Sequence, residues 1–279
     1  MRLILLTSLA MIAFAANSVL NRVAVDSGAI DPSSFAIIRV ASGALALGMV
    51  LTVRGGRFPL FAKGRGIGSV SLATYMIGFS LAYASLDAGL GALILFGTVQ
   101  ITMFAWGALR GARPTSRQLG GAAIAFAGLL VALWPGDGGA ALGAAVLMVA
   151  AGLGWAAYTL VGRGAKDPLA TTAANFLVAT PLLLILLAGP ALHAAPSGIA
   201  LAMLSGAVTS GLGYALWYAV LPRLAAQSAA VVQLSVPVIA MAGGALFLGE
   251  RVGLDLAVAA VLVLGGIAVA ITGASRHAA

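Results

Sequence analysis

Cysteine is absent from the sequence, which excludes disulfides, thiolate chemistry and cysteine-based metal sites. Histidine is nearly absent. His193 lies in a proline-flanked stretch and His277 in the tail, so no histidine cluster is available to a metal. Charge is scarce as well. Asp, Glu, Lys and Arg make up 8% of 279 residues, against about 25% in a soluble domain. So few charges could not cover a water-facing surface. The seven carboxylates are Asp26, Asp31, Asp87, Asp137, Asp167, Glu250 and Asp255, and all fall between or at the ends of apolar stretches. Proton-driven carriers commonly relay through a carboxylate inside the membrane. None is available here, which points to facilitated or exchange transport. No Ser/His/Asp set and no paired acids occur within the apolar stretches, so an intramembrane enzyme lacks its machinery. Gly64-Arg65-Gly66-Ile67-Gly68 lacks the Gly-Lys-Ser/Thr ending of a phosphate loop. No cofactor is expected.

Apolar sequence is abundant. Hydrophobic residues are 62% of the chain, and the mean hydropathy is +1.10. Runs of about 20 apolar residues match the length needed to cross a bilayer. They lack the period-2 alternation of barrel strands, so helices follow. Ten spans are predicted, at about 2–25, 33–53, 66–86, 89–109, 117–134, 141–162, 169–188, 198–220, 226–248 and 254–274. The start imitates a signal peptide with an Ala13-Phe14-Ala15 site. The apolar helical pattern continues past it through Val19, Leu20 and Val23, which favours a first span. With the N-terminus inside, twelve Lys and Arg fall in cytoplasmic segments and two, Arg22 and Arg251, in outer loops. This bias predicts cytoplasmic termini in a bacterial inner membrane. It also accounts for the net charge of +8 without a nucleic-acid partner. The expected surroundings are the lipid bilayer and a small-molecule substrate.

The two halves of the chain echo each other. Phe14-Ala15-Ala16-Asn17 is matched 141 residues later by Trp155-Ala156-Ala157-Tyr158. Leu81-Ala82-Tyr83-Ala84 parallels Leu216-Trp217-Tyr218-Ala219, Gly107-Ala108-Leu109 parallels Gly244-Ala245-Leu246, and Gly128 parallels Gly265. The order is preserved throughout. The expected fold is an all-α integral membrane protein of ten transmembrane helices, built as two five-helix repeats over 1–134 and 141–279 with a linker at 135–140. An odd number of spans per repeat inverts the second copy, an architecture of secondary transporters with a midplane site between the repeats.

Aromatic residues are only 7% of the chain, so their placement is informative. Tyr75, Phe79 and Tyr83 fall at i, i+4 and i+8, as do Tyr214 and Tyr218 at i, i+4, with Trp217 beside them. The repeat pairs Phe79 with Tyr214, Tyr83 with Tyr218, Phe14 with Trp155 and Asn17 with Tyr158. Buried Tyr and Trp need polar partners that lipid does not offer. Tyr75, Trp155, Tyr158 and Tyr214 are therefore expected to face a cavity or a packed interior. Tyr83, Tyr218, Trp106 and Trp134 lie near span ends, where an interfacial belt is the alternative. Phe96 and Gln100 in the fourth span pair with Gln233 and Pro237 in the ninth. Asn17, Gln100 and Gln233 are candidate ligands for the polar end of a substrate. Pro237 and Pro181 would each free a carbonyl inside a helix. Arg39 is the one charge well inside a span. It either snorkels to the nearby interface or pairs with a substrate carboxylate. Gly107 and Gly111 form a GxxxG expected to pack helices, as do Gly43, Gly120, Gly121, Gly128, Gly243, Gly244, Gly265 and Gly266.

Pro237 followed by Gly243-Gly244-Ala245-Leu246-Phe247-Leu248-Gly249-Glu250-Arg251 resembles the Pro-to-Glu segment of the drug/metabolite transporter superfamily in its EamA-type branch. Ile38-Arg39 is similar to that family's arginine in the second span. The first repeat departs from the pattern, with Gln100 in place of Pro237 and Arg113 in place of Glu250. The resemblance covers the whole chain and implies an exporter of metabolites. The interior aromatics resemble the YddG-type exporters of aromatic amino acids. The expected function is alternating-access export of aromatic or apolar amino acids through an uncharged central cavity. Aromatic or quaternary cations are the alternative cargo, through cation–π attraction. A channel, which usually shows a charged or carbonyl-lined filter, is a more distant one.

Overall fold

In the computed structural model, the described residues are 2–111, 114–133, 142–163, 165–189, 192–224 and 232–272. The linker at 135–140, Trp134 and Arg113 fall outside them. Helices account for almost all regular structure: α1 (Arg2–Asp26), α2 (Pro32–Val53), α3 (Arg65–Ala82), α4 (Ala88–Leu109), α5 (Ser116–Leu133), α6 (Leu142–Gly162), α7 (Pro168–Leu183), α8 (beginning Pro196–Leu204), α9 (Ser235–Leu248) and α10 (Leu254–Thr272). α7 tightens to a 3-10 turn over Leu184–Ala188, and α8 passes through a π-helical stretch, Ser205–Leu212, before resuming as Gly213–Val220. Among the described residues the only extended pairing is an isolated bridge between Ile30 and Ala194.

Six of these segments are long and apolar enough to cross a membrane: α1, α2, α4, α6, α7 with its 3-10 turn, and α8 with the turn that follows. α5, α9 and α10 are apolar but shorter. The outer surface is apolar too, with Leu45, Met49, Leu246 and Val261 each at least 70% exposed. In water such a surface would be costly, and in lipid it is the ordinary exterior. The chain is an all-α, multi-pass membrane protein.

Acids mark the helix ends. Asp31 and Asp167 cap α2 and α7, each followed by proline, and Asp87 occupies the cap position of α4. Negative charge there complements the helix dipole and the unpaired N–H groups. Asp26 ends α1 and Asp255 lies in the first turn of α10. The carboxylates were expected outside the spans, and six of the seven are found at helix ends or turns. Asp137 lies outside the described residues.

Packing depends on small residues at particular contacts. α3 lies along α6, α5 along α10, and α2 against α7 and the π-helical stretch of α8. A Cβ at Gly78 would sit 2.5 Å from the Leu147 carbonyl oxygen on α6, and one at Gly206 would collide with the Arg39 carbonyl and the Ser42 hydroxyl on α2. Gly121, Gly128 and Gly266 make comparable contacts between α5 and α10. The GxxxG expectation is corrected. Gly107 and Gly111, and likewise Gly120 and Gly265, have nothing within 4 Å of where a Cβ would stand, so among the described residues they join no helices.

Candidate functional site

Arg39 sits seven residues into α2, about 10 Å along the axis. It is fully buried, at 0% exposure. The expected reach to the interface does not occur, because the guanidinium finds partners inward. Its Nε donates to the Ser210 hydroxyl at 2.9 Å, and its Nη2 donates to the Tyr75 and Tyr214 hydroxyls at 3.0 and 3.1 Å. The Phe79 ring lies beneath it, 4.5 Å from Cζ to the ring centroid. Its Nη1 has no partner. Among the described residues, no carboxylate pairs with Arg39; the ion pairs found all belong to Arg22. The centre therefore carries a fixed positive charge, where the sequence suggested an uncharged path.

Ser210 links Arg39 to Asn17. The Asn17 Oδ1 accepts from Ser205, Thr209 and Ser210 at 2.9, 2.7 and 2.9 Å, and its amide donates to the Thr209 and Ala13 carbonyls. These three hydroxyls belong to the π-helical stretch. A π-helical segment displaces side chains from the usual register and is frequently found at functional sites. The hydrogen-bonding capacity of Asn17 is filled by α8 and by its own helix, which makes it a support for Ser210 in this conformation. Sequence reasoning missed Ser205, Thr209 and Ser210. The available signal was three hydroxyls within six residues of an apolar span, where lipid offers no hydrogen-bond partner.

The predicted aromatics converge on this centre. Trp155 lies 4.7 Å from Tyr214 and 5.0 Å from Tyr75 between ring centroids, and Phe14 is 5.7 Å from Trp155 and 5.6 Å from Tyr214. Phe96 completes a void of about 10 Å³ lined by Phe14, Asn17, Tyr75, Phe79, Leu95, Trp155 and Tyr214. That is about one water molecule, so the aromatic centre is packed shut. The Trp155 Nε1, like Arg39 Nη1, is buried without a partner. Tyr158 packs between Trp155 and Tyr218, at 5.5 and 5.9 Å. Tyr83 and Tyr218 are buried, at 0% and 5% exposure, rather than lying in an interfacial belt. Trp106 does stay exposed, with the Arg110 guanidinium over its ring.

The remaining predicted residues fall elsewhere. Gln100, Gln233, Trp217 and Tyr218 line a separate cleft of about 280 Å³ toward the end that carries Arg163. Pro237 is buried in the first turn of α9, three residues after a turn at Leu234; its ring has no N–H to give the Gln233 carbonyl four residues back. Pro181 is exposed on α7. The carbonyl four residues before it belongs to Leu177, itself 44% exposed, so this proline opens no polar group toward the centre.

The two ends of the bundle differ. At the end bearing Arg57, Lys63, Arg65, Arg163 and Lys166, the 280 Å³ cleft and a second of about 480 Å³ open between the helices. Arg65, also missed from sequence, is buried there, donating to the Pro59 and Thr171 carbonyls and to Asn175 Oδ1. At the opposite end Arg22 contacts Asp26, Asp87 and Glu250 at 3.1, 3.6 and 3.6 Å. Glu250 accepts the Ala88 N–H with both oxygens at 2.9 Å, so the turn between α9 and α10 caps the start of α4. Burial pushes the Glu250 carboxyl above its usual 4.5, the Ala88 N–H opposes that, and Asp87 reinforces it. This end is sealed.

These features define a multi-pass helical membrane protein whose polar groups converge inside the bundle, as in a transporter. Residues 142–272 match the EamA-like transporter family. An uncharacterized protein of Pseudomonas aeruginosa is 50% identical over 270 residues, covering 96% of this chain and 93% of that protein. A Salmonella typhimurium protein described as a "probable amino-acid metabolite efflux pump" is 28% identical over 223 residues, 74% of each chain. A crystal structure shares the fold at a TM-score of 0.68 and 20% identity, over 96% of this chain and 99% of the other. Residues 142–272 thus form a domain of the EamA-like transporter family.

Proposed function

We propose that the protein is an alternating-access carrier that exports small apolar carboxylates, foremost aromatic amino acids, from the cytoplasm across a bacterial inner membrane. The observation that carries this reading is Arg39, buried without a carboxylate partner among the described residues and with an orphan Nη1. A lone cation inside a membrane protein is costly, by about 2.5–3.5 kcal/mol on insertion scales. A substrate carboxylate supplies the missing acceptor for Arg39 Nη1 and Trp155 Nε1, and the surrounding rings supply stacking for an aromatic side chain. Export of quaternary cations fits poorly, since the same charge repels them.

The carrier would have ten spans in two inverted five-helix repeats. In support, α1 packs on α9 as α6 packs on α4, α3 on α6 as α8 on α1, and α3 on α7 as α8 on α2. Each partnership is reproduced when every helix is exchanged for the one five places away. With both termini cytoplasmic, the basic end with its clefts faces the cytoplasm and the Arg22–Glu250 seal faces out. The carboxylates at helix ends favour exchange or facilitated transport over a proton relay. Export as the direction draws on the description of the Salmonella relative.

Counterflow of labelled L-phenylalanine in proteoliposomes tests the reading. Saturable exchange is expected, with competition by aromatic and large apolar amino acids but not by tetraphenylphosphonium. Arg39→Gln is expected to lower it roughly 10- to 100-fold, the worth of a hydrogen bond to a charged group. Full-rate transport by Arg39→Gln, or preferred transport of the cation, would overturn it.

A further inference from the structure

Two buried hydroxyls, Thr159 Oγ1 and Tyr218 OH, neighbour each other on the wall of the 280 Å³ cleft, and neither makes a hydrogen bond of good geometry. Both residues are only 5% exposed. Orphan buried polar atoms cost about 1–3 kcal/mol each and are few in native proteins. Paired with each other, the two still leave one hydroxyl hydrogen without an acceptor, which a ligand in the cleft would supply. Arg163 stands at the same cleft, Met103 and Trp217 provide apolar wall, and among the described residues no acid lines it. Hydroxyl donors, a cation and an apolar wall together suit a carboxylate on an apolar body, and the volume accommodates one amino acid.

The cleft also adjoins the aromatic centre along two helix faces. Trp155, Thr159 and Gly162 fall at i, i+4 and i+7 on α6, one helical face. Tyr214 and Tyr218 do the same at i and i+4 on α8. Tyr214 and Trp155 belong to the closed centre, whereas Thr159, Gly162 and Tyr218 line the open cleft. Gly162 makes room for the phenol: a Cβ there would lie 3.1 Å from the Tyr218 hydroxyl.

We propose that this cleft is an entry subsite, in which Thr159 and Tyr218 hold the substrate carboxylate before it reaches Arg39. The identity of the substrate as an apolar carboxylate rests on the proposed function; the existence of the subsite does not require Arg39.

Calorimetric titration of the purified full-length protein with L-phenylalanine, phenylacetate and phenethylamine tests it. Phenylacetate and L-phenylalanine are expected to bind, and phenethylamine is not. The Thr159→Val/Tyr218→Phe double variant is expected to weaken binding by roughly 10-fold or more. Thr159→Ser retains it, and Gly162→Ala weakens it by crowding the phenol with both hydroxyls still present. Added to Arg39→Gln, the same double variant is expected to weaken the binding that remains. Wild-type affinity in the double variant, or binding of phenethylamine in preference to phenylacetate, would overturn the subsite, as would no binding of either carboxylate. If the double variant loses binding while Arg39→Gln transports normally, the subsite stands and the central role of Arg39 falls. If phenylacetate binds and L-phenylalanine does not, the subsite stands and the amino-acid cargo falls.

Discussion

Arg39 and Ser210 lie 171 residues apart in the chain and are joined by a 2.9 Å hydrogen bond from Nε to Oγ. The Ser210 hydroxyl has one hydrogen, and it goes to Asn17 Oδ1. The direction of the relay is thus set: Arg39 gives, Ser210 receives and passes on. Ser210→Ala leaves the guanidinium Nε unpaired and unsteered. It is expected to raise the KM for L-phenylalanine counterflow several-fold, with about 1–3 kcal/mol lost from stability. Arg39→Lys is not expected to substitute, because one ammonium cannot reproduce the planar fork that reaches Ser210, Tyr75 and Tyr214 together. Transport assays and thermal unfolding of both variants check this.

Gly206 and Gly107 offer a contrast within one residue type. Gly206→Ala places a methyl against the Arg39 carbonyl and the Ser42 hydroxyl, both held by α2. Overpacking of this kind costs about 1–3 kcal/mol, and the separation of α2 from α8 would displace Arg39 as well. Gly107→Ala meets open space and is expected to be neutral or stabilising by up to about 1 kcal/mol, from helix propensity. Melting temperatures in detergent should fall for the first and hold or rise for the second.

The same contrast shows what could be read from the sequence. The apolar stretches and the helical spacing of Tyr75, Phe79 and Tyr83 were legible, because both depend on residues close in the chain. The i, i+4 pairing of Tyr214 and Tyr218 was visible for the same reason, although a π-helical stretch precedes it. The inward turn of Arg39 was not legible. Near a span end a guanidinium goes to whichever partners are closer, and its partners here come from α3 and α8. Nor does GxxxG reveal whether another helix lies opposite it. The amides Gln100 and Gln233 were expected beside the aromatic centre and line the neighbouring cleft instead, since a shared face on one helix does not say which cavity that face meets.

Asp31 makes stability depend on acid. It accepts from the Ser33 and Ser34 N–H groups at 2.9 Å each and from the His193 N–H at 2.7 Å, tying the start of α2 to the strand-like contact at Ala194. Burial works to raise its pKa, but the accepted hydrogen bonds outweigh it and hold the carboxyl below its usual 3.8. A lowered folded value stabilises the folded state above the unfolded pKa, and that stability is lost as pH falls through the folded value. Asp31→Ala is expected to cost about 1 kcal/mol near neutrality, as for other N-caps. The difference from the wild type should shrink as pH falls from 3.8 through the lowered folded value. Unfolding of both proteins across this range measures it.

Arg39 also has an electrical consequence. Each elementary charge moved through 100 mV changes the energy by about 2.3 kcal/mol. Hydrogen bonds that the guanidinium of α2 donates to α3 and α8 tether it, so its charge stays with the protein while cargo passes. For the proposed cargo, an amino-acid zwitterion would cross with no net charge, and the voltage would neither drive nor oppose its exit. A cation would bring a second positive charge beside the first and, on its way out of the cell, would have to climb the interior-negative potential.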